Sequence, residues 1–207
     1  MTYNQMTDHQ QLIQAVEQAD SPERLITAVR TLAAARSEAG IPTLIAALGY
    51  NNPGAALAAV AGLVQMGATA VPLLLELLDG YNYGARAYAI RALAAIADPR
   101  ALEVLLNAAK SDFAPSVRRA ASKGLGNLHW NQLESSQIQL AQERAFQTLV
   151  EICQDTDWSI RYAAIVGLQT MANQTDFHSK ILAHFHSLLQ TETDLAVRAR
   201  VQLAINS

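Results

Sequence analysis

The stretch Val117-Arg118-Arg119-Ala120-Ala121-Ser122-Lys123-Gly124-Leu125 decides the fold, because its pattern returns along the chain. A small or aliphatic residue, an arginine, an alanine three further on and a leucine four beyond that recur at Ala85-Arg86…Leu93 and Ile160-Arg161…Leu168, and more loosely at Val197-Arg198…Ile205. Two earlier segments, Leu25 to Leu32 and Ala56 to Leu63, keep the apolar positions without the arginine. Equivalent positions fall at 25, 56, 86, 118, 161 and 198, with spacings of 31, 30, 32, 43 and 37. Self-similarity at such a period marks a repeat architecture, each repeat being one supersecondary unit. Positions 117, 120, 121 and 125 lie at i, i+3, i+4 and i+8, the spacing of one face of an α-helix.

Five of these segments follow another apolar helix: Ile41 to Leu48, Val71 to Leu78, Ala101 to Ala109, Ala145 to Cys153 and Ile181 to Leu189. Turn formers separate the partners, among them Asn51-Asn52-Pro53-Gly54, Asp79-Gly80-Tyr81-Asn82 and Ser111-Asp112. A helix hairpin cannot bury its apolar face alone, so hairpins stack and their seams join into one core. The reading is all-α, a right-handed α-solenoid of about six HEAT-like repeats forming a single domain over 1–207. The spacing of 43 implies an insertion near Leu128 to Ser136, expected as a loop on one face and a candidate contact surface.

Of the 207 residues 51% are hydrophobic and 16% charged, enough apolar material to bury roughly 70% of the unfolded surface without disulfides or metals. A net charge of −3 gives no sequence-wide attraction to phosphate and argues against a nucleic-acid partner. The single cysteine, Cys153, sits on an apolar helix face and is expected to be buried and structural. No apolar run approaches the ~20 residues of a membrane span, and the N-terminus lacks a basic region followed by an apolar core. A cytoplasmic protein without membrane insertion is expected.

The repeated arginines 86, 118, 161 and 198 are read first as structural, because a partly buried guanidinium needs partners. Asp79, Asp112, Asp157 and Asp194 precede them by four to seven residues and suggest a ladder of turn-to-helix pairs. Outside the seam, repeat four carries Arg119, Ser122 and Lys123, an ordinary solvated face. Repeat two instead has Leu57, Val60, Ala61 and Val64 there, and repeat three has Ala87 and Ile90. Such a face calls for a cover: a ligand, a second protein or the chain's own next turn. Tyr81, Tyr83 and Tyr88 crowd one short segment, suited to stacking on a flat conjugated ligand with Arg86 or Arg91 at its carboxylates, or simply to packing over the hairpin. His178, His184 and His186 do not form a metal site, and no phosphate loop, nucleophile elbow or Cys-x-x-Cys is present.

The segment DGYNYGARAYAIRALAAIADPRALEVLLNAAKSDFAPSVRRAASKGLGNLHW, Asp79 to Trp130, resembles the central region of the E/F-type heterodimeric phycobilin lyases. It is most similar to the F subunit of the phycocyanobilin lyase acting on the phycocyanin α-subunit. Generic HEAT proteins share Val117-Arg118 and Ala120-Ala121 but not the tyrosine-rich turn followed by Ser111-Asp112-Phe113. The resemblance implies an enzyme subunit working with an E-type partner in phycobilisome assembly. It would hold no permanent cofactor and would bind phycocyanobilin as substrate, for thioether attachment to a cysteine of the apo-phycocyanin α-subunit. Within that implication Asp79 and Asp112 are candidates to favour the protonated tetrapyrrole, each equally suited to capping a helix. Arg86, Arg91 and Arg119 are available for the propionates, and Tyr81, Tyr83, Trp130 and Trp158 for the rings. Relatives that isomerise the bilin carry an adjacent His-Cys pair; here Ile152 precedes Cys153 and Trp130 follows His129, which favours transfer without isomerisation. Two alternatives stand beside this reading: a non-catalytic adaptor or phycobilisome-turnover protein, and a lyase subunit for another bilin or phycobiliprotein.

Overall fold

A computed structural model describes residues 8–78 and 83–206. Among the described residues the regular structure is helical, and the helices pair into hairpins. The chain divides into two units, the first ending at Ile96 and the second starting at Ala97. The first holds three hairpins: α1 (Asp8–Glu17) with α2 (Pro22–Ala34), α3 (Ile41–Ala47) with α4 (Pro53–Met66), and α5 (Val71–Leu78) with α6 (Tyr83–Ile96). The second also holds three: α7 (Leu102–Ser111) with α8 (Pro115–Asn127), α9 (Ser135–Ile152) with α10 (Trp158–Ala172), and α11 (His178–Thr191) with α12 (Leu195–Ile205). Each repeated segment is the second helix of a hairpin, and α1 joins the five first helices that periodicity identifies.

Local chemistry explains where these second helices begin. Pro22, Pro53 and Pro115 occupy first helical positions, where a missing N–H costs nothing. Ser21 Oγ accepts from Arg24 N at 3.3 Å and Asn52 Oδ1 from Ala55 N at 3.1 Å. Asp157 caps α10 by accepting from Ser159 N at 2.8 Å, and Asp194 caps α12 by accepting from Ala196 N at 2.9 Å. At the end of α4, Gly67 takes φ +61°, a left-handed conformation that suits glycine.

The seam lies where the repeat predicts at three of the four positions, Ala120 of α8 being half-buried. Val117, Ala121 and Leu125 are buried in α8, as are Ala85, Ala89 and Leu93 in α6, Ile160, Ala164 and Leu168 in α10, and Val197 and Val201 in α12. Within the second unit α8 packs on α10 and α10 on α12; within the first, α2 packs on α4 and α4 on α6. The closest approach is between α8 and α10. A Cβ on Gly126 would fall 1.9 Å from the Gly167 carbonyl oxygen, and one on Gly167 would fall 2.4 Å from the Ser122 carbonyl oxygen. Backbone therefore meets backbone at this crossing.

Three expectations are corrected. Ser122 is fully buried, not solvated, because α10 covers that side of α8; its hydroxyl donates to Arg118 O at 2.8 Å. Ile90 is buried in α6, not outward. The insertion is not a projecting loop: it is a 3-10 turn at Trp130–Gln132 and extra N-terminal turns on α9, which runs to 18 residues. His129 N–H donates to Ala97 O at 2.8 Å and ties that turn down.

Candidate functional site

The repeated arginines build a ladder within the second unit, with different partners from those expected. Arg118 pairs with Asp155, and Arg161 pairs with Glu192 at 2.8 Å, each carboxylate belonging to the turn of the following hairpin. Asp155 and Glu192 lie six residues before Arg161 and Arg198, and those arginines also donate to their backbone carbonyls, each at 2.9 or 2.8 Å. The same carboxylates accept from backbone N–H groups two residues on, Asp157 N and Asp194 N, both at 2.8 Å. One carboxylate thus fixes its own turn and receives the arginine of the preceding hairpin. The Arg161 guanidinium holds the Glu192 carboxyl below the usual carboxylate range, against the opposing effect of burial. Asp157 and Asp194 act as helix caps instead.

Asp112 occupies the equivalent of Asp155 and Glu192 in the turn before α8. It is 8% exposed, and its Oδ1 accepts from Ala114 N at 2.9 Å, so it anchors a turn. Asp79 and Tyr81 lie outside the described residues; Tyr83 begins α6, and its side chain lies outside them too. Arg86 is half-buried and Arg91 exposed on α6, in the first unit. Trp130 is 5% exposed inside the second unit, with its indole N–H lacking an acceptor among the described residues. Burial withdraws both ring faces of Trp130 from a surface ligand.

Arg119 and the start of α10 are brought together. Arg119, half-buried on α8, donates from Nη1 to Ser159 Oγ at 3.0 Å, and Ser159 follows Trp158, which is 50% exposed at the start of α10. Trp158, Tyr162 and Val166 occupy successive turns of α10, and Leu195, Ala199 and Leu203 are their equivalents on α12. Leu195 is 81% and Leu203 60% exposed. Behind Tyr162 sits Arg200, 9% exposed, bonded to Gln169 and 6.0 Å from the ring centroid. In the first unit Leu57 is 49% exposed and, with Arg30, Ala61 and Gln65, lines an open groove of about 430 Å³ between α2 and α4. In each unit, therefore, second helices carry partly apolar outer positions, and in the second unit α8 adds the basic Arg119 and Lys123.

A model of HEAT repeats matches residues 10–83 and 71–141. "Phycocyanobilin lyase subunit beta" of Nostoc sp. (strain PCC 7120) is 58% identical over 94% of this chain and 97% of its own length. The chain belongs to the phycocyanobilin lyase beta-subunit family. "Phycocyanin alpha phycocyanobilin lyase CpcF" of Synechocystis sp. (strain PCC 6803) is 50% identical over 93% of this chain and 90% of its own. Among solved structures, the complex of CpcE and CpcF of phycocyanin lyase from Nostoc sp. PCC7120 contains a chain that is 60% identical, with a TM-score of 0.77 over 81% of this chain and 99% of that one.

For a lyase subunit the state of its own thiol matters. Cys153 is 1% exposed, and burial, aided by the Glu192 charge, pushes its thiol up to about 12. At neutral pH it is protonated and enclosed, and supplies no nucleophile. Among the described residues no three His, Cys, Asp or Glu side chains converge to hold a metal, and no single helix is long and apolar enough to cross a membrane. Sequence reasoning missed Ser159, Tyr162 and Arg200. Only the run Asp157-Trp158-Ser159, a carboxylate cap followed two residues on by a hydroxyl, signals the first of these.

Proposed function

We propose that this chain is one subunit of a heterodimeric lyase that attaches phycocyanobilin through a thioether to a cysteine of the phycocyanin α-subunit, during phycobilisome assembly. The observation that carries the reading is the 58% identity to a phycocyanobilin lyase subunit across 97% of that protein. The partner is an E-type helical-repeat subunit, as in the related complex of CpcE and CpcF.

The reaction adds the acceptor's S–H across the bilin's exocyclic ethylidene double bond. The thiolate forms the C–S bond at the ethylidene carbon, and the acceptor's proton balances the carbon at the other end of that double bond. Protonation of the tetrapyrrole makes the electrophile stronger, and fixing both reactants replaces a bimolecular encounter with a near-attack geometry. Burial and a high thiol pKa exclude Cys153 as a way-station for the bilin. The half-exposed Trp158 at the start of α10 and the Arg119 guanidinium bonded to the next residue, Ser159, are side chains of the kinds that suit a flat conjugated molecule bearing carboxylates. Absence of an adjacent His-Cys pair supports attachment without isomerisation.

The test is co-expression with an E-type subunit, the apo-phycocyanin α-subunit and phycocyanobilin, followed by assay for colour that survives acid denaturation. Covalent colour requiring both lyase chains is expected. Binding to the phycobiliprotein without covalent colour would instead indicate an adaptor, and colour on a different subunit or with a different bilin would reassign the substrate.

A further inference from the structure

Arg119 differs from the arginines around it. Arg100, Arg118, Arg144 and Arg161 each reach a carboxylate, on Asp98, Asp155, Glu103 and Glu192 respectively. Arg119 meets only a hydroxyl among the described residues, Ser159 Oγ at 3.0 Å. That hydroxyl donates in turn to Asp157 Oδ1 at 2.7 Å. An arginine has no acceptor, so the geometry is a fixed relay: Arg119 N–H to Ser159 Oγ, Ser159 O–H to Asp157. The two Ser159 hydrogen bonds hold Asp157 below the usual carboxylate range, and the Arg119 charge adds to the effect. Of the five N–H donors of the guanidinium, only one has a protein partner among the described residues.

We infer that Ser159 and Asp157 are positioning residues that hold Arg119, oriented and without a direct carboxylate, to receive a carboxylate of the bound tetrapyrrole. The inference rests on the proposed function and adds to it the residues that aim the cation. A neutral hydroxyl orients a guanidinium without neutralising it, and the donors left over match the paired oxygens of a carboxylate. The bond is not needed to fix helix separation, because the backbone contact of Gly126 with Gly167 already sets how closely α8 and α10 approach. Trp158, the residue before Ser159, is half-exposed and offers a planar ligand an aromatic surface that a flexible acidic side chain would not need.

The experiment uses the complete complex with the E-type subunit and compares phycocyanobilin with its dimethyl ester, in equilibrium titrations and in attachment kinetics. The wild type is expected to prefer the free acid by about tenfold, the worth of one charge-assisted contact. Ser159→Ala should lose most of that preference through KM with kcat little changed, Ser159→Thr should restore it, and Arg119→Gln should abolish it. Ser159→Ala leaves the backbone cap intact, since Asp157 accepts there from the Ser159 N–H. A free-acid preference unchanged in Ser159→Ala and Arg119→Gln, or a wild type that binds acid and ester equally, overturns the inference while leaving the lyase reading standing. A wild-type complex that binds neither form overturns both.

Discussion

Glu192 and Arg161 show what one side chain does in a stacked array. Their side chains are 4% and 15% exposed, and each is also tied to backbone, so the pair is enclosed with its hydrogen bonds made. Glu192→Ala strands a guanidinium there and is expected to cost about 3 kcal/mol, read by urea denaturation. Because the folded carboxyl titrates below its unfolded value of about 4.3, the pair's contribution is complete above that pH and fades as pH falls through the folded value. Glu192→Gln removes it, so the stability gap between wild type and variant should be widest near neutrality and close on acidification below about pH 4. The arginine positions are legible in the sequence because they repeat. Their partners are not: Arg161 reaches 31 residues forward, to a distance that only stacking defines. Trp130 fails in the opposite way, since an aromatic in a polar insertion reads as exposed and only the folded turn shows it enclosed.

The helix hairpins were nearly all readable, since each needs only a local apolar period and a cap. What periodicity could not supply is the distance between neighbouring second helices, which is fixed at α8 and α10 by a pair of glycines. Gly126→Ala must push its methyl into the Gly167 peptide, and no flexible side chain stands there to yield. The variant is expected to lose about 3 kcal/mol, checked by the urea midpoint at unchanged slope. Both glycines are visible in the sequence, yet nothing in it pairs one with the other. The insertion before α9 was legible as extra length, but the eighteen-residue helix absorbs it as added turns where a loop was expected. Of the candidate site, Arg119 and Trp158 were found by residue type; Ser159, which ties Arg119 to the start of α10, was not, because a serine near a helix start reads as routine capping.

At the scale of the molecule, each unit exposes more apolar side chain on its second helices than a free-standing repeat protein needs, Leu57 at 49% in the first and Trp158, Leu195 and Leu203 at 50, 81 and 60% in the second. Exposed patches of this kind mark interaction surfaces or aggregation-prone ones. The chain produced alone is therefore expected to self-associate, and Leu195→Lys with Leu203→Lys should raise its monodisperse fraction in size-exclusion chromatography with about 0.5 kcal/mol or less change in stability. The outward apolar positions of repeat two, Leu57 and Ala61 among them, were legible from their place off the helical seam, whereas what meets them is not written in that pattern. One enclosed atom shapes how such a system is observed. With its sulfur sealed at Cys153 and protonated at neutral pH, this subunit stays dark to maleimides and disulfide dyes while folded, so its contribution to a thiol count taken during turnover is zero and its labelling rate becomes a clock for unfolding.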